Sequence, residues 1–343
     1  MTKGLGCAYG SHRAGGRMPQ PAERLDADMQ IWDNELLLDV TFLNLDSSSM
    51  RQLAEANDQD PQAVGRAIAG IVAARGKMQN PVTGSGGVVV GRVRQIGPAH
   101  PRQDLKIGDL ICPCVSLSLI PMRLTSVGEV NIATTQVMAQ GQAVLFASAN
   151  IGLLPDDLEQ PLAVGVLDVC GAPTTVFRAL SPGQKVAILG AGKAGLISAV
   201  AARRAIGPQG LLVAFDRSEE ALSDMRALGV ADHCHAVDLT DPLATLRLAK
   251  TASDGALFDY VVSMTNVGGT ETAAILCARP RATVFFFGMA TSFTASALSA
   301  EGAGKDIDML IGNGYAEGCI DYGFDLVRQE PTLRAILSRR LQA

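Results

Sequence analysis

The stretch from Lys185 to Gly195 restricts the fold of this chain more than any other. Its first part, Lys185–Leu189, is a short apolar run with the length and composition of a buried strand. It leads directly into Gly190-Ala191-Gly192-Lys193-Ala194-Gly195, and an alanine-rich segment from Leu196 to about Ile206 predicts a helix. A strand, a G-x-G-x-x-G turn and a helix in this order are typical of a unit that binds a dinucleotide.

Each glycine of this turn has a physical reason. Gly190 permits the tight turn, Gly192 lets the backbone approach a pyrophosphate, and Gly195 lets the helix pack closely on the strand. The free N–H groups and the positive dipole end of the helix then attract the phosphates. The residues predicted to bind the cofactor here are Gly190, Gly192, Lys193, Ala194 and Gly195.

The next strand supplies the acidic residue that such a unit needs. Leu211–Phe215 is apolar and ends in Asp216, at the distance of about twenty residues expected for a ribose-binding acid. A carboxylate at this position accepts hydrogen bonds from the ribose hydroxyls and repels a 2′-phosphate, which favours NAD. Arg217 is placed either to stack on adenine or to soften the exclusion of NADP. Ser218 and Gly229 are the expected caps of the following helix.

Further strands and helices alternate towards the carboxyl terminus. Strands are predicted for Tyr260–Met264, for Thr283–Gly288 and, as a sixth, for Ile307–Gly312. Cofactors lie at the carboxyl ends of such strands, so the residues that follow them are further candidates. The additional predicted cofactor residues are Thr265, Asn266, Met289 and Ala290. The fold class is therefore α/β, with a Rossmann-type parallel sheet.

The first third of the chain is organised differently. A strand is predicted for Glu35–Leu43, and Asp60 followed by Pro61 predicts a helix that runs to about Ala74. Two further strands, Val88–Ile96 and Gly108–Val115, suggest a small twisted barrel. The loop between Gly76 and Gly87 is too polar and glycine-rich to belong to a hydrophobic core.

Composition excludes several other classes of protein. The chain has 343 residues, of which 48% are hydrophobic, enough for two domains with a substantial core. A net charge of −5 without a basic cluster argues against nucleic acid as a partner. No N-terminal signal and no run of about 18 apolar residues is present, so we expect no membrane partner. Seven scattered cysteines suggest reduced thiols in the cytoplasm.

A β-rich first part, a crossing helix and a dinucleotide fold together resemble the medium-chain dehydrogenase/reductase superfamily. Gly86–Val93 and Leu105–Asp109 carry the pattern of its catalytic domain. The resemblance implies a β-rich GroES-like catalytic domain over residues 1–155 and a Rossmann domain over residues 156–318. It also implies that the helices of residues 319–343 pack on the catalytic domain, and that the chain forms a homodimer through the edge strand of its dinucleotide domain.

The resemblance further implies a site without metal. Zinc-dependent members carry Gly-His-Glu where this chain has Gly86-Gly87-Val88, and their first cysteine ligand falls at Asn44. Only Cys170 matches a ligand position, and one thiolate cannot hold a tetrahedral zinc ion. His233-Cys234-His235 places two histidines on one face of a strand, but a solvated sheet edge is the favoured interpretation.

Several longer sequence segments point to one family within this superfamily. They are Cys7–Arg13, Pro19–Ala22, Gly76–Gly87, Ser116–Leu119, Leu167–Pro173, Met289–Thr294, Gly304–Asp306 and Ile311–Tyr315. They resemble the L-erythro-3,5-diaminohexanoate dehydrogenases of bacterial lysine fermentation. The resemblance implies NAD-dependent oxidative deamination at C3, which yields 5-amino-3-oxohexanoate and ammonia. Two alternatives stay open: a zinc-free enone or quinone reductase, and a dinucleotide-binding protein without catalytic activity.

Such a diamino acid substrate carries one carboxylate and two ammonium groups, so it requires particular partners. A base must remove a proton from the reacting ammonium, and a carboxylate suits the other one. The candidate catalytic residues are Asp46, Asp168 and Lys77, the last as a partner of the substrate carboxylate. The candidate substrate-binding residues are Arg13, His12, Asn80, Thr83, Ser85 and Glu301. Each has a structural alternative: Asp46 as a helix cap, Asp168 as a buried group bonded to backbone, and Lys77 and Arg13 as surface charges.

Overall fold

The computed structural model describes residues 3–312 and 315–342 and divides into two compact units. Unit 1 contains the described residues up to Asp168 together with residues 340–342, and unit 2 runs from Val169 to Arg339. The sequence placed the boundary at 155/156 and predicted that the helices of residues 319–343 pack on the catalytic domain, and the described residues of this tail up to Arg339 belong to unit 2. Asn313 and Gly314 belong to the segment Ile311–Tyr315, which carries part of the family resemblance, and both lie outside the described residues. The predicted domain ends at residues 1 and 343 lie outside them too.

Unit 1 is built around an antiparallel sheet of six strands in the order β4-β5-β1-β2-β3-β6. Its elements are β1 (Leu36–Asn44), α1 (Ser47–Glu55), α2 (Pro61–Arg75), β2 (Val88–Ile96), β3 (Leu110–Pro113), β4 (Met122–Asn131), β5 (Gln136–Leu145), β6 (Ile151–Leu153) and α3 (Gln160–Leu167). The three predicted strands of this region are confirmed as β1, β2 and β3. The sequence did not reveal β4, β5 and β6.

Helices α1 and α2 begin at residues that the chemistry of helix ends favours, and α2 also ends at one. The Asp46 carboxylate accepts the Ser49 N–H group and starts α1, and Asp60 does the same for Gln62 at the start of α2. Gly76 ends α2 with a φ of 63°, in the left-handed region that glycine adopts without strain. The predicted helix from Pro61 is therefore confirmed.

One hydrophobic core holds unit 1 together. Strand β1 lies at its centre and pairs with β2 on one side and β5 on the other. Leu36, Leu38 and Val40 alternate along β1 into this core, as expected for a strand with one buried face. Helix α2 contributes a stripe of every fourth residue, Val64, Ile68 and Val72.

Unit 2 contains a parallel sheet of six strands in the order β12-β11-β10-β7-β8-β9. Its elements are α4 (Gly171–Ala179), β7 (Lys185–Leu189), α5 (Lys193–Ile206), β8 (Leu211–Asp216), α6 (Glu219–Leu228), β9 (His233–Ala236), α7 (Pro242–Ala252), β10 (Phe258–Ser263), α8 (Glu271–Cys277), β11 (Ala278–Phe286), α9 (Phe293–Gly302), β12 (Asp308–Ile311), α10 (Cys319–Gln329) and α11 (Pro331–Gln342). This strand order confirms the predicted Rossmann-type fold, in which the order reverses between β7 and β10.

The turn between β7 and α5 is as tight as the glycine motif predicts. Gly190 has a φ of 103° and donates its N–H group to the carbonyl of Phe215 at 2.8 Å. A Cβ atom on Gly195 would lie 1.9 Å from the Gly190 carbonyl oxygen, so only glycine fits there. Helix α5 begins at Lys193, three residues before the predicted start, because the last residues of the motif are themselves helical.

No single described helix is both long and apolar enough to cross a membrane. Helices α3 and α4 meet that test of length and composition only as a pair, and they bend by 51° where they meet. Most residues of α3 are buried within the protein, as in a core helix.

We predict that two glycines of the motif respond differently to alanine. Gly195→Ala lowers the free energy of unfolding by about 1–3 kcal/mol or more, because its Cβ atom overlaps backbone. Gly192→Ala changes it by about 1 kcal/mol at most, since nothing lies within 4 Å of the added atom. Thermal unfolding of the two variants measures this difference, and equal losses would contradict it. Gly192→Ala should instead weaken dinucleotide binding, which titration with NADH measures.

Candidate functional site

A cleft of about 240 Å³ lies at the carboxyl ends of the parallel strands of unit 2. Six of its lining residues were predicted to bind a cofactor: Gly190, Gly192, Asp216, Arg217, Thr265 and Asn266. The other lining residues are Asp238, Leu239, Thr240, Met264, Val267 and Thr270. The backbone at Gly192 borders open space, which leaves room for a phosphate to approach it. The cleft therefore fits a dinucleotide.

Asp216 is held firmly at the edge of this cleft. One carboxylate oxygen accepts the Ala191 N–H group at 2.6 Å, and the other accepts the Ser218 N–H group at 2.8 Å. These bonds fix the side chain at the turn that the motif forms. The position suits a carboxylate that accepts hydrogen bonds from a ribose.

A second carboxylate, Asp238, lines the same cleft and was missed by the sequence analysis. The N–H and hydroxyl groups of Thr240 lower the pKa of Asp238, and the charge of Arg217 lowers it further. Asp238 follows β9 closely, as Asp216 ends the neighbouring β8. Its position after a strand of the sheet was the signal that could have identified it.

The remaining predicted cofactor residues lie around the cleft. Lys193 and Ala194 form the first turn of α5 and are partly exposed. Met289 and Ala290 lie in the loop after β11, outside the lining of the cleft. The buried Glu271 accepts the Ser292 N–H group at 2.7 Å and anchors this loop. The approach of Met289 to a nicotinamide stays a prediction.

In unit 1 the pairing of β1 with β2 brings two polar segments together. Asn44 lies opposite Val88 in the register, so the residues just after β1 neighbour those just before β2. The two chains approach so closely that a Cβ atom on Gly87 would lie 2.1 Å from the Asn44 carbonyl oxygen. Gly87 also has a φ of 106°, which side chains rarely allow.

Asp46 is the acidic group of this region. Its Oδ1 atom accepts the Ser49 N–H group at 2.8 Å and the Ser48 hydroxyl at 2.7 Å. The Ser49 hydroxyl lies 3.4 Å from the other carboxylate oxygen, Oδ2. The predicted alternative that Asp46 caps a helix is therefore confirmed, and its half-exposed carboxylate also contacts a group of hydroxyls.

Three hydroxyls form a triangle beside Asp46, which we call the hydroxyl cluster: Ser49, Thr83 and Ser85. The oxygen of Ser49 lies 2.7 Å from that of Thr83 and 2.9 Å from that of Ser85. The oxygens of Thr83 and Ser85 are 2.9 Å apart. Thr83 and Ser85 were predicted to orient the substrate, whereas the buried Ser49 was missed.

Asn80 supports the loop that carries two of these hydroxyls. Its amide oxygen accepts the N–H groups of Val82 and Thr83, at 2.8 and 3.3 Å. Its amide nitrogen donates to the Gln52 side chain at 2.8 Å. Asn80 is fully buried, so the structure assigns it to holding the loop, in contrast to the predicted contact with substrate.

Lys77 is buried without a carboxylate partner among the contacts that the structure describes. Its Nζ atom donates to the carbonyls of Pro19 at 2.7 Å and Gln20 at 3.2 Å. Burial chiefly, and the nearby charge of Arg75 in addition, lower the pKa of Lys77 to about 8. Lys77 has 0% exposed surface, so it is not the surface charge that the sequence suggested as one alternative. For the same reason it does not bind the substrate carboxylate, the other role suggested for it.

Arg13 and His12 both bind Glu35 inside unit 1. Arg13 donates Nε and Nη2 to the two carboxylate oxygens of Glu35, each at 2.6 Å, and its other donors reach three backbone carbonyls. His12 bonds Glu35 through Nε2 at 2.8 Å and accepts the Cys7 N–H group at Nδ1. All five donors of Arg13 are thus used within the protein. This corrects the prediction that Arg13 and His12 bind substrate, since neither has a donor left.

The other two predicted acids lie elsewhere. Asp168 lies at the end of α3 and is half-buried. Its charge acts on the nearby Cys112: burial chiefly, and the charges of Cys114 and Asp168 in addition, raise the pKa of that thiol. Glu301 is exposed near the end of α9 in unit 2. Of the predicted acids, the structure thus brings Asp46 to the hydroxyl cluster.

The described residues contain no group of three His, Cys, Asp or Glu side chains that could hold a metal ion. The sulfur of Cys170 lies 3.2 Å from that of Cys319, and both are buried. The edge position predicted for His233-Cys234-His235 is confirmed by β9, where His235 stacks on Phe215 and burial lowers its pKa. Absence of a metal stays a prediction.

Comparisons with known proteins bear on this arrangement. The model of the L-erythro-3,5-diaminohexanoate dehydrogenase N-terminal domain matches residues 11–155. The enzyme of this name from Acetoanaerobium sticklandii is 40% identical over 97% of this chain and 98% of its own length. The one from Fusobacterium nucleatum subsp. nucleatum is also 40% identical, over the same shares.

Solved structures confirm the fold. An alcohol dehydrogenase from Thermotoga maritima superposes with a TM-score of 0.57 at 14% identity, over 90% of this chain and 85% of its own. A mycobacterial protein complexed with NADPH gives 0.56 at 15%, over 90% and 88%. Alcohol dehydrogenase TADH from Thermus sp. ATN1 gives 0.52 at 19%, over 92% and 85%. Given the sequence identity over almost its whole length, the chain belongs to the L-erythro-3,5-diaminohexanoate dehydrogenase family.

Proposed function

We propose that the chain catalyses the NAD-dependent oxidative deamination of L-erythro-3,5-diaminohexanoate at C3. The products are 5-amino-3-oxohexanoate and ammonia, in a step of lysine fermentation. The relatives that cover 97% of the chain are dehydrogenases of this substrate by name. The observation that carries the proposal is the cluster of Asp46 with three hydroxyls, because it gathers acceptors for an ammonium group.

The reaction needs such acceptors. A hydride cannot leave C3 while the adjacent nitrogen holds four bonds, so one proton must go first. Asp46 is the base that the geometry favours, and Asp168 and Glu301 remain candidates for the second ammonium group. The cofactor, when bound, takes the hydride. The iminium product then adds water and releases ammonia, which balances the reaction.

We also propose a cytoplasmic protein whose partner is this small diamino acid, and not nucleic acid or a membrane. All seven cysteines are free thiols, as in a reducing compartment. The net charge of −5 disfavours binding to the phosphates of nucleic acids. Fractionation of cells with an antibody against the chain tests the location.

The first test is the reaction itself. Purified protein, NAD and 3,5-diaminohexanoate should produce NADH, and the rate should rise towards alkaline pH because the reacting amine must be neutral. The reverse reaction should require ammonium, and chelators should leave both rates unchanged. Absence of NADH, together with turnover of crotonyl or quinone acceptors, would favour a zinc-free reductase. Tight NADH binding without any turnover would favour a non-catalytic protein.

The second prediction concerns the choice of cofactor. The fixed carboxylate of Asp216 should repel a 2′-phosphate, so kcat/KM with NAD should exceed that with NADP. Asp216→Ser removes the charge and should shift this ratio towards NADP by about tenfold or more, if about 1.4 kcal/mol of repulsion is lost. Asp241→Ser, which removes a carboxylate that caps α7, is the control and should leave the ratio unchanged. An unchanged ratio in Asp216→Ser would contradict the role.

The third prediction concerns assembly. Strand β12 is the edge of its sheet, and Met309, Leu310 and Ile311 expose 36–50% of their surface. An apolar edge strand invites pairing with a second copy, so we propose a homodimer. Light scattering at micromolar concentration should give twice the mass of the chain, and Leu310→Lys should shift it towards monomer. Leu243→Lys, at an exposed position of α7, is the control. A monomeric wild type would contradict the proposal.

A further inference from the structure

Ser49 is buried, yet its hydroxyl lies beside Asp46, the candidate base. It has 0% exposed surface, so it cannot contact a substrate directly. Its hydroxyl nevertheless lies between the Asp46 carboxylate, at 3.4 Å, and the hydroxyls of Thr83 and Ser85, at 2.7 and 2.9 Å. It is the residue that links the acid to the loop.

The count of donors and acceptors gives this link a direction. A hydroxyl donates one hydrogen bond and accepts two. A carboxylate only accepts, so Ser49 donates its proton towards Asp46 and has two lone pairs left. Thr83 and Ser85 fill those lone pairs by donating to Ser49. All contacts of Ser49 are then satisfied, and every proton in the chain of bonds points towards Asp46.

When Thr83 and Ser85 both donate to Ser49, neither hydroxyl has a proton left to donate to the other. The oxygens of Thr83 and Ser85 lie 2.9 Å apart, but both of their protons point to Ser49. The Ser85 N–H group donates to the Thr83 oxygen at 3.4 Å, but no hydroxyl proton then lies between the two oxygens, and lone pairs remain to accept another donor. Thr83 is partly exposed, so a donor from outside can reach this pair of hydroxyls. An ammonium group supplies such donors, whereas a carboxylate supplies none.

We propose that the hydroxyl cluster carries the proton of the substrate ammonium to Asp46, with Ser49 as its central link; this deepens the proposed function and rests on it. The ammonium gives one proton to Thr83 or Ser85, which passes its own proton to Ser49, and Ser49 passes its proton to Asp46. The substrate nitrogen keeps its electron pair and becomes a neutral amine. Asp46 becomes a carboxylic acid, and no bond between heavy atoms changes.

Ser48 provides a matched comparison within the same turn. Its hydroxyl donates to Asp46 at 2.7 Å, but to Oδ1, whereas the hydroxyl of Ser49 lies by Oδ2. Ser48→Ala therefore removes a hydrogen bond to the same acid and leaves the path through Ser49 intact. Ser47, exposed at the first position of α1, serves as a neutral control.

The experiment measures Ser49→Ala with 3,5-diaminohexanoate and NAD. Because the lost step lies on the way to the transition state, kcat and kcat/KM should fall together by about tenfold or more. A small base in the buffer, such as imidazole, should restore part of the rate in proportion to its concentration. Wild type, Ser47→Ala and Ser48→Ala should show no such dependence. A purely structural role for Ser49 does not produce buffer rescue.

Two outcomes overturn the proposal: a rate for Ser49→Ala within about twofold of wild type, or a lost rate without buffer rescue. If Ser49→Ala is unstable by thermal unfolding, the double variant Thr83→Val with Ser85→Ala decides instead, by the same two readouts. Wild type that produces no NADH from the substrate overturns the proposed function itself. A wild type that is active beside an unaffected Ser49→Ala overturns the relay alone.

Discussion

The candidate site of unit 1 depends on one interaction, the antiparallel pairing of β1 with β2 that sets Asn44 opposite Val88. This register brings Asp46 and Ser85 together, although they are far apart in the chain. A slip by one residue would turn every side chain of β1 to the other face and expose Leu36 and Leu38. Burial of the core therefore enforces the register, and the register positions the hydroxyl cluster. The close contact at Gly87 leaves no room for any larger residue.

What the sequence could predict follows from the range of the interactions involved. The turn from β7 to α5, the cap at Ser218 and the carboxylate of Asp216 are local, so their residues identify them. Ser49 was missed because its role depends on hydroxyls 34 and 36 residues away. Nothing near Ser49 in the chain distinguishes it from Ser47 or Ser48. Strands β4 and β5 were missed because exposed polar positions lie between their buried ones and hide the apolar pattern, and β6 was missed because it has only three residues.

Arg13 shows the same limit from the opposite side. Arg13 lies beside His12 in a segment that carries the family resemblance, so the sequence suggested that it binds substrate. In the fold it is surrounded by Glu35 and three backbone carbonyls. Whether a charge is exposed or buried depends on tertiary contacts that no local pattern contains. Removing one partner of such a buried pair costs about 3–5 kcal/mol, so its place is in the stability of the fold. Lys77 was misjudged for the same reason, since its burial follows from tertiary contacts; that burial, with the charge of Arg75, lowers its pKa to about 8.

The two units differ in the charge that they are built to receive. Unit 2 presents backbone N–H groups at a helix start, beside a glycine that leaves open space, and these favour the phosphates of a dinucleotide. Unit 1 presents oxygens: a carboxylate and three hydroxyls whose protons already have acceptors. Such a group has nothing to donate to an anion and favours a cation. A dehydrogenase of a diamino acid requires both properties, because its cofactor is an anion and the reacting group of its substrate is an ammonium ion.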